Sequence, residues 1–359
     1  MSGQKQKAKI KPSTKSCMLT LAMVIAFFII CNIMVMLGIG GSLFEGLLIP
    51  MCYYIILAVS LNLVVGILGE LSLGHAGFMC VGAYAGALFS VFTKDMITSD
   101  LLRYGLALLV GGLFAGIVGM IIGFSVLRLR GDYLAIVTLA FGEIIYKLIQ
   151  NCYLIKDKNG LHFSFSEPVD ASKIDLESKV DILKGAMPMN GVPKSATLLA
   201  SVILLVVILL VVYNLIDSRA GRAFRAVRDN SIAAQSIGIQ INKYKLIVFF
   251  ISSFLAGVAG TMYAHYQTLD SSKFNYNVSI LILVFVVLGG IGNIRGSVIA
   301  TVILYALPEL LRDFYSYRMI VYALILIGMM IATNNEKCIQ FRKRIVAKLF
   351  PKKAEKEEN

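Results

Sequence analysis

Charge is scarce in this sequence. Asp, Glu, Lys and Arg make up 15% of its 359 residues, where ordinary soluble domains carry about a quarter. Also missing is any Gly-Lys followed by Ser or Thr, so the chain has no Walker A phosphate loop and any ATP that drives it is bound by another subunit. Clustered metal ligands are lacking too. Only three histidines occur, His75, His162 and His265, and the six cysteines, Cys17, Cys31, Cys52, Cys80, Cys152 and Cys338, include no C-x-x-C pair. The cysteines therefore read as packing residues. The spacing Gly290-x-Gly292-x-x-x-Gly296 lies between apolar runs with no βαβ context, which excludes a dinucleotide fingerprint. These absences leave no catalytic residue, no metal site and no cofactor expected on this chain.

What is present is apolar surface. Apolar residues make up 58% and the mean hydropathy is +0.79, too much for a soluble fold to hide, so one membrane domain covered outside by lipid is expected. The ten apolar runs fall at about 18–37, 44–66, 74–93, 103–127, 133–153, 195–215, 244–266, 277–290, 297–313 and 317–334. Runs of this length in lipid must be helical, since only a helix satisfies its own backbone. The fold class expected is an all-α integral membrane protein of about ten transmembrane helices, some interrupted. The first run follows Lys5, Lys7, Lys9, Lys11 and Lys15 and reads as an uncleaved span.

The net charge of +13 is distributed by side, and does not suggest nucleic acid. With an inside start, the turn Arg128-Leu129-Arg130, the segment carrying Arg219 to Lys245, Arg295, and the tail with Arg342, Lys343, Arg344 and Lys348 all fall in the cytoplasm. Arg103, Arg312 and Arg318 are exceptions. The organisation expected is a basic cytoplasmic N-terminus over 1–17, a transmembrane domain over 18–334 and a charged cytoplasmic tail over 335–359. Within the domain, 154–194 forms a charge-balanced extracytoplasmic loop and 216–243 a cytoplasmic segment.

Two glycine-rich stretches interrupt the apolar pattern, Gly66 to Phe78 and Gly289 to Ser297. Broken helices at membrane depth line protein-enclosed pathways, so Ser72, Gly74, His75, Gly77, Gly290, Gly292 and Asn293 are candidates for a translocation path. Short loops and small-residue helix packing are the alternative. His75 admits either a gating role or a structural hydrogen bond. Glu143 lies inside a span, where a charge is costly, so it is either a further candidate for the translocation path or a structural residue neutralised by Lys147 one turn on along the same face. His265 reads as an interfacial residue. In the cytoplasmic segment a helix is expected from about Gly221 to Ser236, with Arg222, Arg225 and Arg228 along one side and Phe224, Val227 and Ile232 supplying apolar contacts. Such a helix can lie in a partner's groove as a rigid lever, or bind anionic lipid.

The stretch GRAFRAVRDNSIAAQSIGIQINKYKLIVFFISSFLAGVAGTMYAHY resembles the branched-chain amino acid ABC permeases of the LivM type almost continuously. GELSLGHAGFMCVGAYAGAL, GDYLAIVTLAFGEIIY and VVLGGIGNIRGSVIATVILYALPELLR fit as well, and together the blocks cover most of 66–153 and 216–313. The resemblance implies an importer subunit in the cell (plasma or inner) membrane. It would work beside a second permease subunit, two cytoplasmic ABC ATPase subunits and an extracytoplasmic substrate-binding protein. Ala233, Ala234 and Gly238 look like the family's Glu-Ala-Ala…Gly loop that docks into the ATPase, with Arg222, Arg225, Arg228 and Asp229 around it, although the glutamate is absent. After the Glu143 span the family's Thr-Gly-Gly…Gly segment is reduced to Gly160-Leu161, so urea and short-chain amide importers, which have similar permeases, stay open. An ion-coupled secondary transporter is the alternative of another class, with Glu143 as its one candidate coupling residue.

Overall fold

Each of the ten apolar runs forms a helix over most of its described length, as a backbone without water requires. The structure is a computed structural model describing residues 12–37, 41–126, 132–157, 160–165, 180–189, 191–311 and 317–334. Residues 1–11, the Arg128 to Arg130 turn, Arg312 and the whole 335–359 tail, with Cys338, Arg342, Lys343, Arg344 and Lys348, lie outside those described.

The helices are α1 (Pro12–Met36), α2 (Gly41–Asn62), α3 (His75–Phe92), α4 (Asp100–Val126), α5 (Asp132–Gln150) and α6 (Leu198–Asp217). They continue with α7 (Arg219–Asp229), α8 (Ser231–Ser236), α9 (Ile241–Ala264), α10 (Tyr276–Gly289), α11 (Ile294–Leu310) and α12 (Arg318–Asn334). Among the described residues seven helices are long and apolar enough to cross a membrane: Cys17–Met36, Gly46–Leu68, His75–Phe92, Asp100–Ser125, Tyr133–Gln150, Leu198–Asp217 and Ile241–Ala264. The ten expected spans are thus supported as seven by length, with α10, α11 and α12 shorter. With 14 residues, α10 is about 21 Å long at 1.5 Å per residue.

The core is built around α9, which lies against α2, α3 and α4. Small residues allow the approach. A methyl group on Gly82 would sit 2.2 Å from Gly257 Cα, and one on Gly260 2.0 Å from the Met79 carbonyl oxygen, so these backbones touch without intervening side chains.

The all-α expectation fails in the 154–194 loop. Strands β1 (Cys152–Asp157), β2 (Gly160–Phe165) and β3 (Val180–Lys184) form an antiparallel sheet in the order β2-β1-β3. Ile155 pairs with His162 across β1 and β2, and Leu154 with Leu183 across β1 and β3. β-branched residues favour such strands, and outside the hydrocarbon an open sheet edge can be satisfied by water. The loop is tied down by Met189 N, which donates to Leu269 O at 2.8 Å, just beyond the end of α9.

Candidate translocation path and coupling segment

Depth in the bundle can be read along α9, whose 24 residues place Ser252 at its middle. Ser252 Oγ donates to Ser60 O at 2.6 Å and lies 2.9 Å from His75 Nε2. Because the hydroxyl proton is committed to Ser60, the ring donates to Ser252 from Nε2, while His75 Nδ1 is buried without a hydrogen-bond partner among the described residues. His75 is the first residue of α3. The helix therefore begins at half the depth of α9, as an interrupted helix does.

Its unsatisfied amides are met by side chains. Leu73 N donates to Thr138 Oγ1 and Ala76 N to Ser279 Oγ, each at 3.0 Å. Gly74 and Gly77 lie directly on α5, where a methyl group on either would come within 2.7 Å of Thr138 O or Gly142 Cα. Ser72 and His75 are buried inside the chain, and Ser72 Oγ has no hydrogen-bond partner among the described residues. His75 makes the hydrogen bond that one of its two readings expects, to Ser252.

Glu143 does not pair with Lys147. Its Oε1 accepts from Tyr276 N at 2.8 Å, while Lys147 Nζ donates to Gln150 Oε1 at 3.0 Å and stands over the Tyr146 ring. The first turn of α10 offers an unsatisfied amide and the positive end of a helix dipole, a better partner for the carboxylate than a flexible ammonium one turn away. His265 also departs from expectation. It is buried, its Nε2 is 2.7 Å from Ser90 Oγ and its Nδ1 2.9 Å from the Thr261 carbonyl oxygen, so it joins α3 to α9. Arg103 is explained locally, by donation to Ile97 O and an ion pair with Asp100.

The two glycine-rich stretches meet each other. α2 ends in a π-helical turn, Leu63–Leu68, closed by Gly69 in the left-handed conformation at φ +81°. A methyl group on Gly66 would lie 2.3 Å from Gly292 N, and that amide donates to Asn62 Oδ1 at 2.8 Å. Asn62 Nδ2 donates in turn to Ser297 Oγ at 2.8 Å. Gly290 and Gly292 have φ of +93° and +81°, and Asn293 caps α11 by accepting from Gly296 N. The second stretch therefore forms a tight turn between α10 and α11. An ion pair between Glu70 and Lys245 closes the same end of the molecule.

Below this seam lies the segment expected to be one helix from Gly221 to Ser236. It is two. Asn230 leaves the helical conformation at φ −158° and ψ 103°, and its side chain accepts from Ala233 N to cap α8. The rigid lever is thus jointed at Asn230. Phe224 and Val227 are buried within the chain, whereas Ile232 and Ile237 are 80% and 74% exposed. Ala234 is buried, Ala233 exposed, and Gly238 turns the chain at φ +86°. The arginines differ. Arg222 is exposed and donates to Asp217 O at 3.2 Å. Arg225 donates to Ile216 O at 2.9 Å, satisfying a carbonyl at the end of α6. Arg228 donates from Nη1 to Gly66 O at 2.9 Å and from Nε and Nη2 to Asp229 Oδ1.

Asn62, Glu70, Lys245 and Ser297 complete this constellation, and sequence reading did not single them out. Glu70 carried a usable sign, an acid in a glycine-rich interruption of an apolar run. Among the described residues no group of three or more His, Cys, Asp or Glu could hold a metal ion.

Comparison with known proteins agrees with this architecture. The family model described as branched-chain amino acid transport system, permease component, matches residues 42–333. The chain is 36% identical over 287 residues to the high-affinity branched-chain amino acid transport system permease protein LivM of Escherichia coli K12. The same identity and length hold for LivM of Salmonella typhimurium LT2. These alignments cover 77% of this chain and 66% of each relative, so the chain spans just under two thirds of their length. It is also 26% identical over 291 residues to the ribose import permease protein RbsC of Haemophilus influenzae, covering 78% of this chain and 81% of that protein. No solved structure matches. With the family model extending over most of its length, the chain belongs to the branched-chain amino acid transport system permease components.

Proposed function

We propose that this chain is the membrane-spanning permease subunit of an ATP-binding-cassette importer that moves branched-chain or related amino acids into the cytoplasm. ATP is hydrolysed on two separate cytoplasmic subunits, a second permease completes the path, and an extracytoplasmic binding protein delivers the substrate. The chain itself performs no covalent chemistry and binds no cofactor; it sits in the plasma or inner membrane with both termini cytoplasmic. One observation carries the reading. Ile232 of α8 and Ile237 just after it are largely exposed, on the segment that resembles the family's ATPase-docking loop, and exposed apolar side chains on a polar segment mark a partner surface. ATP-driven closure of the partners moves this segment, and the bundle alternates between outward and inward openings.

The relatives carry names that include ribose as well as branched-chain amino acids, and in this reading the binding protein does most of the selecting. The test is reconstitution of the chain with its partner permease, ATPases and binding protein in proteoliposomes. ATP-dependent uptake of leucine, isoleucine or valine over urea supports the assignment, and uptake of urea alone overturns the amino-acid reading. In the same assembly Ile232→Asp should release the ATPase subunits; full retention overturns the docking surface.

A further inference from the structure

Arg228 looks from sequence like one of three equivalent arginines on a docking helix. Its surroundings set it apart. The guanidinium reaches away from α8 to the Gly66 carbonyl at 2.9 Å, 162 residues earlier in the chain. That carbonyl belongs to the π-helical turn closing α2, where the backbone ladder is already irregular and an outside donor is needed. The side-chain stem lies on Gly69, since a methyl group there would come 2.5 Å from Arg228 Cγ. A methyl group on Gly292 would come 3.8 Å from Arg228 Nη1. One side chain therefore hydrogen-bonds the first interruption and stands beside Gly292 of the second. Asp229 accepts from its other two nitrogens, Nε and Nη2, holding the fork in one orientation.

The two interruptions are locked to each other at the same place, through Asn62 to Gly292 N and to Ser297 Oγ. Beyond Gly69 the chain runs without helix to His75, the start of α3 at the middle of α9. Beyond Asn293 it enters α11 directly. A displacement of α7 thus has a polar route to α2, α3 and α11 that bypasses α9.

We propose that Arg228 is a positioning residue that transmits movement of α7 to both glycine-rich interruptions at once, and that it makes no contact with the ATPase. This rests on the docking reading of α8, and the two fail separately. In the reconstituted importer, Arg228→Ala should keep the ATPase subunits bound and ATP hydrolysis within about twofold of the unaltered assembly, while substrate moved per ATP falls at least about tenfold. Hydrolysis and uptake falling in step, or substrate per ATP unchanged, overturns the proposal. Loss of the ATPase subunits also overturns it, because Arg228 would then be a docking residue. Should the variant not fold, hydrogen exchange of the unaltered assembly decides. On adding a non-hydrolysable ATP analogue, 63–70 and 289–294 should change protection together with 219–229; a response confined to 219–229 overturns the relay. Retention of ATPase by Ile232→Asp, by contrast, overturns only the docking surface.

Discussion

Lys245, near the start of α9, pairs with Glu70 just after the left-handed Gly69, and the two side chains are only 11% and 16% exposed. Removing one partner leaves the other charge in a poorly hydrated place. Glu70→Gln or Lys245→Met should each lower stability by about 2 kcal/mol, between the values typical of exposed and of fully buried pairs. The double replacement should cost clearly less than the sum. Thermal unfolding in detergent checks this, and strictly additive losses would show that the pair contributes nothing as a pair.

Glu143 holds the first amide of α10, which separates two roles for an intramembrane acid. As a helix cap, its work needs only an acceptor. Glu143→Gln should keep at least about half of the uptake rate, and Glu143→Ala should lose about 1 kcal/mol of stability, the usual value of a cap. Lys147→Met should be neutral on both measures. If glutamine abolishes uptake while the protein stays folded, the carboxylate has a role beyond capping.

Glu143 and Lys147 share a helix face without pairing. Spacing along one helix brings both residues to one face, but α10 arrives from 133 residues away and supplies a stronger partner. The same reason hid Asn62, which unites Gly292 and Ser297 across more than 200 residues. Helix positions and interruptions were legible because lipid restricts backbone choice and glycine marks where a helix can break. The sheet after α5 was not, because 154–194 is polar enough to escape that restriction and reads only as a loop. The joint at Asn230 was legible in principle, since asparagine three residues before Ala233 can cap a second helix, but the arginine spacing spoke for one continuous face.

Close packing of α3 on α9 predicts a sharp size limit. At Gly82 an added methyl group meets the Gly257 backbone, which no rotamer change can relieve. Gly82→Ala should destabilise by about 3 kcal/mol, the upper part of the overpacking range. Folded yield by size-exclusion chromatography should fall sharply. Gly191→Ala offers a contrast, because a methyl group there meets no atom within 4 Å and only its φ of +81° resists the change.

The remaining arginines of α7 should divide by what they touch. Arg225 donates to Ile216 O and Gly221 O, and so holds the junction between α6 and α7 from inside the chain. Arg225→Ala should therefore lower thermal stability by about 1 kcal/mol, near the low end for a charged hydrogen bond because the side chain is partly exposed. ATPase affinity should change little. Arg222 is exposed and has only the Asp217 carbonyl as its recorded contact, so its charge is available to a partner. Arg222→Glu should leave the melting temperature unchanged yet weaken ATPase attachment about tenfold, equivalent to about 1.4 kcal/mol, mainly by slowing association. Binding measured at two salt concentrations separates the residues. The Arg222 effect on attachment should shrink as salt screens the charge, whereas Arg225→Ala should leave attachment little changed at both salt concentrations. Equal effects of both replacements on attachment would return α7 to the simpler picture of one uniform basic face.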